Sequence, residues 1–188
     1  VNALPTITVP SGTICLNKTY TLSASGGNTY NWSTSQTGSS INVSPALTTV
    51  YTVTGTAVTT CTNVTTATAS VLALPQMAVA PTIAPSNCSA STGSITAVSV
   101  TGAPVLTYSW TNSSSALVGT SPNLTSQPAG TYNLQVTDGN GCVNNFGPYS
   151  ITNPGAPAAP TASATANSLC VGGTIGFNAM GIVTYNWS

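Results

Sequence analysis

The side chains that perform most enzymatic chemistry are nearly missing from this sequence. Its 188 residues hold one lysine, Lys18, and one aspartate, Asp138, with no arginine, glutamate or histidine. A typical chain is about a quarter charged, which at this length means roughly 47 charged side chains. General acid–base catalysis needs a titratable group beside the proton it moves. Paired carboxylates and Ser-His-Asp or Cys-His nucleophiles need residue types that are not here. Zinc and calcium sites need clustered His, Cys, Asp or Glu ligands. The sequence therefore offers no catalytic residue and no metal ligand set, and no cofactor is expected. Nucleic-acid affinity comes largely from Lys and Arg neutralising phosphates, and a peripheral membrane anchor needs a basic amphipathic face. Neither nucleic-acid binding nor direct membrane insertion is expected of this segment.

A few features still invite chemistry. Thr137-Asp138-Gly139-Asn140-Gly141-Cys142 looks superficially like a calcium loop. One carboxylate cannot satisfy six to eight coordination positions, and Asp with two glycines fits a β-turn between strands. Lys18 aligns with Gly173 of a later repeat, which places it in a turn. Asn-x-Ser/Thr occurs eight times, starting with Asn17, Asn31, Asn42 and Asn63, a small excess over the number this composition gives by chance. The remaining reactive residues are five cysteines, Cys15, Cys61, Cys88, Cys142 and Cys170.

Their spacing follows an internal repeat. Residues 168–188 align without gaps on residues 13–33, with nine of 21 positions identical. The matches include Cys170 with Cys15 and Tyr185-Asn186-Trp187-Ser188 with Tyr30-Asn31-Trp32-Ser33. Between them runs a more divergent unit with Cys88, Tyr108-Ser109-Trp110-Thr111, Tyr132 and Cys142, in the order of Cys15, Tyr30 to Ser33, Tyr51 and Cys61. Residues 1–5, Val-Asn-Ala-Leu-Pro, resemble residues 71–75, Val-Leu-Ala-Leu-Pro. The expected organisation is the end of a preceding module at 1–4, module one at 5–74 and a linker at 75–81. Module two follows at 82–153, then a linker at 154–160 and the first half of a third module at 161–188. The Pro- and Ala-rich joints suggest short, semi-rigid spacers. The chain reads as a window on a longer array.

The elements that must position these residues are strands. Thr and Ser number 34 and 24, with 17 Gly and 13 Pro as punctuation, a composition that favours short strands over helices. In module one the alternation predicts strands at 6–9, 19–25, 28–34, 40–44, 48–56 and 64–73. One face of each is apolar and the other hydroxylated, as in two sheets packed over a core. One tryptophan per module, Trp32, Trp110 and Trp187, is the expected centre of that core, joined by Tyr51 and Tyr132. Four cysteines allow three connectivities. The repeat period selects the intramodular pairs Cys15–Cys61 and Cys88–Cys142, each closing a loop of about 50 residues. Cys170 takes the position of Cys15, so its partner is expected outside the chain.

The blocks GSITAVSVTG, LTYSWTN, PAGTYNLQVTDGNGC and YSITNP of module two resemble the SprB-type repeat of very large gliding-motility and surface adhesins of Bacteroidota. GGNTYNWST, INVSP, TTVYTVTGT and ATASVLALP resemble the immunoglobulin- or PKD-like repeats of the same class. Tyr132 after Pro128-Ala129-Gly130-Thr131 resembles the corner tyrosine of the immunoglobulin pattern. The resemblance implies an all-β tandem array of small immunoglobulin-like β-sandwich modules, each with one disulfide. It further implies a type IX secreted, extracellular protein on the cell surface. The expected role is a non-enzymatic adhesive stalk or filament, whose partners are other copies, neighbouring modules, a surface polysaccharide or a solid surface. A purely structural fibre or sheath subunit is one alternative, and a carbohydrate-binding module of a secreted enzyme is another.

Overall fold

The computed structural model describes residues 2–87, 90–155, 161–164 and 177–180. Every regular element among them is a β-strand. Module one contains β1 (Gly12–Cys15), β2 (Tyr20–Ser23), β3 (Thr29–Trp32), β4 (Ser40–Val43), β5 (Thr49–Thr56) and β6 (Thr62–Leu72). One sheet has the order β1-β6-β5-β3, and β2 pairs with β4 in the other. The strong alternation of the threonine-rich strands decides which side faces in. Tyr51, Val53 and Gly55 of β5 and Ala67 and Ala69 of β6 point to the core, where they meet Leu22, Ile41 and Val43. Gly55 is small for a reason: a Cβ there would run into the Ile7 side chain.

Module two repeats the plan with β7 (Gln76–Val79), β8 (Thr82–Ala84), β9 (Gly93–Thr96), β10 (Ser99–Thr101), β11 (Thr107–Asn112), β12 (Leu117–Gly119), β13 (Leu124–Gln127), β14 (Gly130–Thr137) and β15 (Val143–Ile151). Its larger sheet is ordered β12-β11-β14-β15, and β13-β9-β8 and β10-β7 form the opposite layer. Both modules thus set the Trp strand beside the long hairpin of the last two strands, the order of an immunoglobulin sandwich. The chain is an all-β tandem of such sandwiches. Beyond them β16 (Thr161–Ala164) and β17 (Phe177–Met180) pair antiparallel.

Two expectations about the elements need correction. The segment 6–9 makes only an isolated bridge, Thr8 to Ser25, whereas β1 forms where no strand was expected. It runs parallel to β6, with Gly12 opposite Ala69 and Cys15 opposite Leu72. Residues 75–81 are not simply a linker. Pro75 is fully buried and β7 pairs antiparallel with β10, so module two starts at its first residue after the proline. Only Ala73-Leu74-Pro75 separates β6 from β7.

Each core is built around an indole whose N–H is satisfied by a backbone carbonyl. Trp32 is 3% exposed and Nε1 donates to the Gly38 carbonyl at 2.9 Å. Trp110 is 0% exposed and donates to the Ser121 carbonyl at 3.0 Å, with the Tyr149 ring 5.8 Å away and tilted by 54°. Tyr51 and Tyr132 are buried in the same cores. The Tyr132 hydroxyl donates to the Pro128 carbonyl at 2.9 Å, closing the corner that leads into β14. Trp187 lies outside the described residues.

Burial pushes the phenols of Tyr132 and Tyr149 above their ordinary value of 10.0, because the folded state favours the neutral ring. Stability is therefore intact below that value and falls as the pH rises through it towards the raised folded value. Tyr132→Phe is expected to lose about 1 kcal/mol at neutral pH through the missing hydrogen bond. The same variant is expected to show a shallower alkaline decline, checked by urea titrations from pH 8 to 11.

Candidate functional site

The place where residue chemistry and architecture meet is the joint between the two sandwiches. The parallel pairing of β1 carries Cys15 to the end of β6, beside Leu72, and the Leu16 N–H donates to the Leu72 carbonyl at 2.9 Å. On the other side the turn between β14 and β15 hangs over Pro75. Asp138 shapes that turn: Oδ1 accepts from the Asn140 and Cys142 N–H groups at 3.0 and 2.9 Å, and Oδ2 from Ala103 N–H at 3.3 Å. Three neutral donors surround the carboxylate, which is an arrangement for holding a loop. Asn144 then donates from its side chain to the Pro75 carbonyl at 2.8 Å.

Cys142, placed by this turn, is bonded to Cys15 with their Cα atoms 5.5 Å apart. The expected pairs Cys15–Cys61 and Cys88–Cys142 are thereby overturned, and with them one intramodular disulfide per module. The reason is geometric. Cys61 precedes the first residue of β6 and Cys15 lies opposite its last, Leu72. Eleven strand steps amount to about 36 Å, far beyond the roughly 4–7 Å that a disulfide spans between Cα atoms. Cys61 is a half-buried thiol, while Cys88 and Cys170 lie outside the described residues. Sequence reasoning missed the crosslink because it missed β1 and its parallel direction.

Lys18 sits, as a turn residue, just past Cys15, whose carbonyl accepts from its N–H at 3.1 Å. No group of three His, Cys, Asp or Glu gathers among the described residues, and no helix there is long and apolar enough to cross a membrane.

Outside the joint the surface is hydroxylated and largely paired with itself. Across β2 and β4 the outward side chains form rungs, Thr21 with Asn42 at 2.7 Å and Ser23 with Ser40 at 3.2 Å, and Thr19 meets Ser44 at 3.0 Å just beyond the strand ends. Thr8 and Ser25 add another at 2.7 Å. Such cross-strand pairs each contribute about 0.2–1 kcal/mol to the sheet. An open groove of about 760 Å³ runs beside β3, lined by neutral side chains including Asn28, Asn31, Thr37 and Thr54. Its aromatic neighbour, Tyr30, is buried with its hydroxyl donated to the Gly27 carbonyl at 2.9 Å.

No known protein-family profile matches the chain, and no curated protein matches it by sequence. Among solved structures it is similar to extracellular domains 3–5 of Drosophila OTK, at 10% identity and a TM-score of 0.45, over 80% of this chain and 62% of that one. It is also similar to the titin I-band fragment I67–I69, at 10% identity and a TM-score of 0.42, over 96% of this chain and 77% of that one. Immunoglobulin domains 1–5 of Sidekick-1 match at 13% identity and a TM-score of 0.40, over 87% of this chain and 41% of that one. The chain thus spans under two thirds of the OTK structure. None of these likenesses assigns a role to a residue here.

Replacing Cys15 and Cys142 together by Ser is expected to leave both cores folded while releasing the joint. Circular dichroism is expected to be unchanged at 20 °C, and small-angle scattering is expected to show a broader spread of end-to-end dimensions than the parent chain.

Proposed function

We propose that this chain is a non-enzymatic, load-bearing segment of a long extracellular adhesin or filament. The observation that carries the reading is the Cys15–Cys142 bond across the joint. Tension entering near the N-terminal end of module one reaches Cys15, crosses the sulfur bridge and leaves at Cys142 beside the last hairpin of module two. The residues between them are bypassed, so the two sandwiches hold their length even where strand pairing yields. A bond of this kind forms and persists in oxidising compartments, which supports an exported protein.

The surface supports the adhesive half of the reading. With one positive and one negative side chain in 188 residues, neighbouring copies meet with no long-range repulsion. The exposed faces offer hydroxyls, amides and scattered valines such as Val50, Val58 and Val64. The SprB-type and immunoglobulin-like motifs quoted above support display on a bacterial cell surface after type IX secretion, with other copies, a surface polysaccharide or a solid surface as partners. Contacts of this neutral kind depend little on salt.

Single-molecule stretching between the chain ends tests the load path. With the bonded cysteines 127 positions apart in sequence and about 3.4 Å per extended residue, the crosslink withholds roughly 430 Å of extension. The oxidised chain is expected to stop short of the Cys15→Ser, Cys142→Ser variant by that amount, and equal extensions would overturn the reading. In the companion measurement, self-association or surface attachment is expected to change less than twofold between low and high ionic strength, and a steep fall would remove the neutral-contact mechanism.

A further inference from the structure

Cys61 and Cys142 occupy the same place in their sandwiches. Each closes a five-residue turn in which the first residue donates its N–H to the cysteine carbonyl, Ala57 to Cys61 at 2.8 Å and Asp138 to Cys142 at 3.0 Å. Two residues later an asparagine side chain donates to a proline carbonyl at the start of the module. Asn63 reaches Pro5 at 2.9 Å and Asn144 reaches Pro75 at 2.8 Å. Both asparagines also accept from the N–H of the following residue at 2.9 Å. The turn, the clamp and the buried proline are one device used twice.

Besides the carboxylate of Asp138, which Ala57 lacks, the device differs in what lies across it. In module two, Leu72 stands three residues before Pro75 and is the register partner of Cys15, which is bonded to Cys142. In module one, Asn2 stands three residues before Pro5, and the Cys61 Sγ points at its carbonyl at 4.0 Å. The Cys61 sulfur thus lies against the counterpart of the very residue that holds Cys15 in place. Cys142 is 0% exposed beneath its bond, whereas Cys61 is a half-buried thiol.

We infer that Cys61 is one half of a second intermodular disulfide, whose other cysteine stands at the Cys15 position of an immunoglobulin-like module running on into Asn2–Pro5. The inference rests on the reading of the chain as part of a tandem array and gives that array its linkage rule. The last strand of one module carries that module's own first-strand cysteine to the final hairpin turn of the next. In forming the bond the two thiols lose two protons and two electrons. The electrons pass by thiol–disulfide exchange to a protein or glutathione disulfide, which is reduced to two thiols. With every joint closed this way, tension crosses each boundary through a covalent bridge as well as through the backbone.

The test is disulfide mapping of the natural polypeptide that carries these residues. Thiols are blocked with N-ethylmaleimide at harvest, and the unreduced protein is digested with pepsin and sequenced by mass spectrometry. The expected result is a Cys61 peptide linked to a cysteine peptide from outside residues 1–188 of the same polypeptide, aligning with Gly12–Cys15, at more than nine-tenths occupancy. A Cys61 peptide carrying maleimide, or linked to Cys88, Cys170 or Cys61 of a second copy, overturns the inference while leaving the load-bearing role of Cys15–Cys142 standing. Absence of the Cys15–Cys142 peptide from the same digest overturns both.

Discussion

A chain that can form at most one side-chain ion pair must satisfy its buried polar atoms with neutral hydrogen bonds, and this constraint runs through the whole structure. The two indoles show it most clearly, because each core is organised around a large ring that could not be buried with an unpaired N–H. A loop carbonyl meets each of them. The tyrosines follow the same rule, Tyr30 with Gly27 and Tyr132 with Pro128. Among the described residues no buried side-chain nitrogen or oxygen lacks a partner. The outer hydroxyls are consumed in cross-strand rungs, which leaves faces that are polar, uncharged and already partly paired.

The one carboxylate is spent on architecture. Asp138 is buried and gathers three backbone N–H groups, and the loop it shapes presents Cys142 to the neighbouring sandwich. Module one forms the equivalent turn from Ala57 without a carboxylate. The joint itself is short, since three residues separate β6 from β7, and it is held at Pro75 by Asn144 and across the gap by the sulfur bridge. A flexible tether would transmit force through the backbone alone. Here the boundary between the two sandwiches is crosslinked covalently by the Cys15–Cys142 bond.

Much of the fold was legible in the sequence because period-2 alternation reports directly on which face is buried. β5 and β6 were readable from Val50 to Val53 and from Ala67 to Val71, and the Trp-bearing strands from their repeated Tyr-x-Trp blocks. β1 was not readable. Its four residues, Gly-Thr-Ile-Cys, are too short to establish a period, and parallel pairing with a strand almost sixty residues away leaves no local mark. β7 was hidden by Pro75 and the alanines around it, which resemble a spacer but form the first strand of module two. The cysteine pairing failed for the same reason as β1, since a repeat period tells which cysteines are equivalent and says nothing of which end of the sandwich each one occupies.

Composition and pattern by themselves determined that the chain builds β-sandwiches in tandem, each around one tryptophan, and that it has one lysine, one aspartate and no histidine to offer catalysis. Those properties are local or additive: charge is a count, and burial of a strand face follows from its own alternation. Tertiary structure alone decided that Cys15 meets Cys142 and that the spacer is a strand. Both depend on the direction in which distant strands pair, and strand direction is set by the packing of the whole sandwich rather than by any stretch of residues within it.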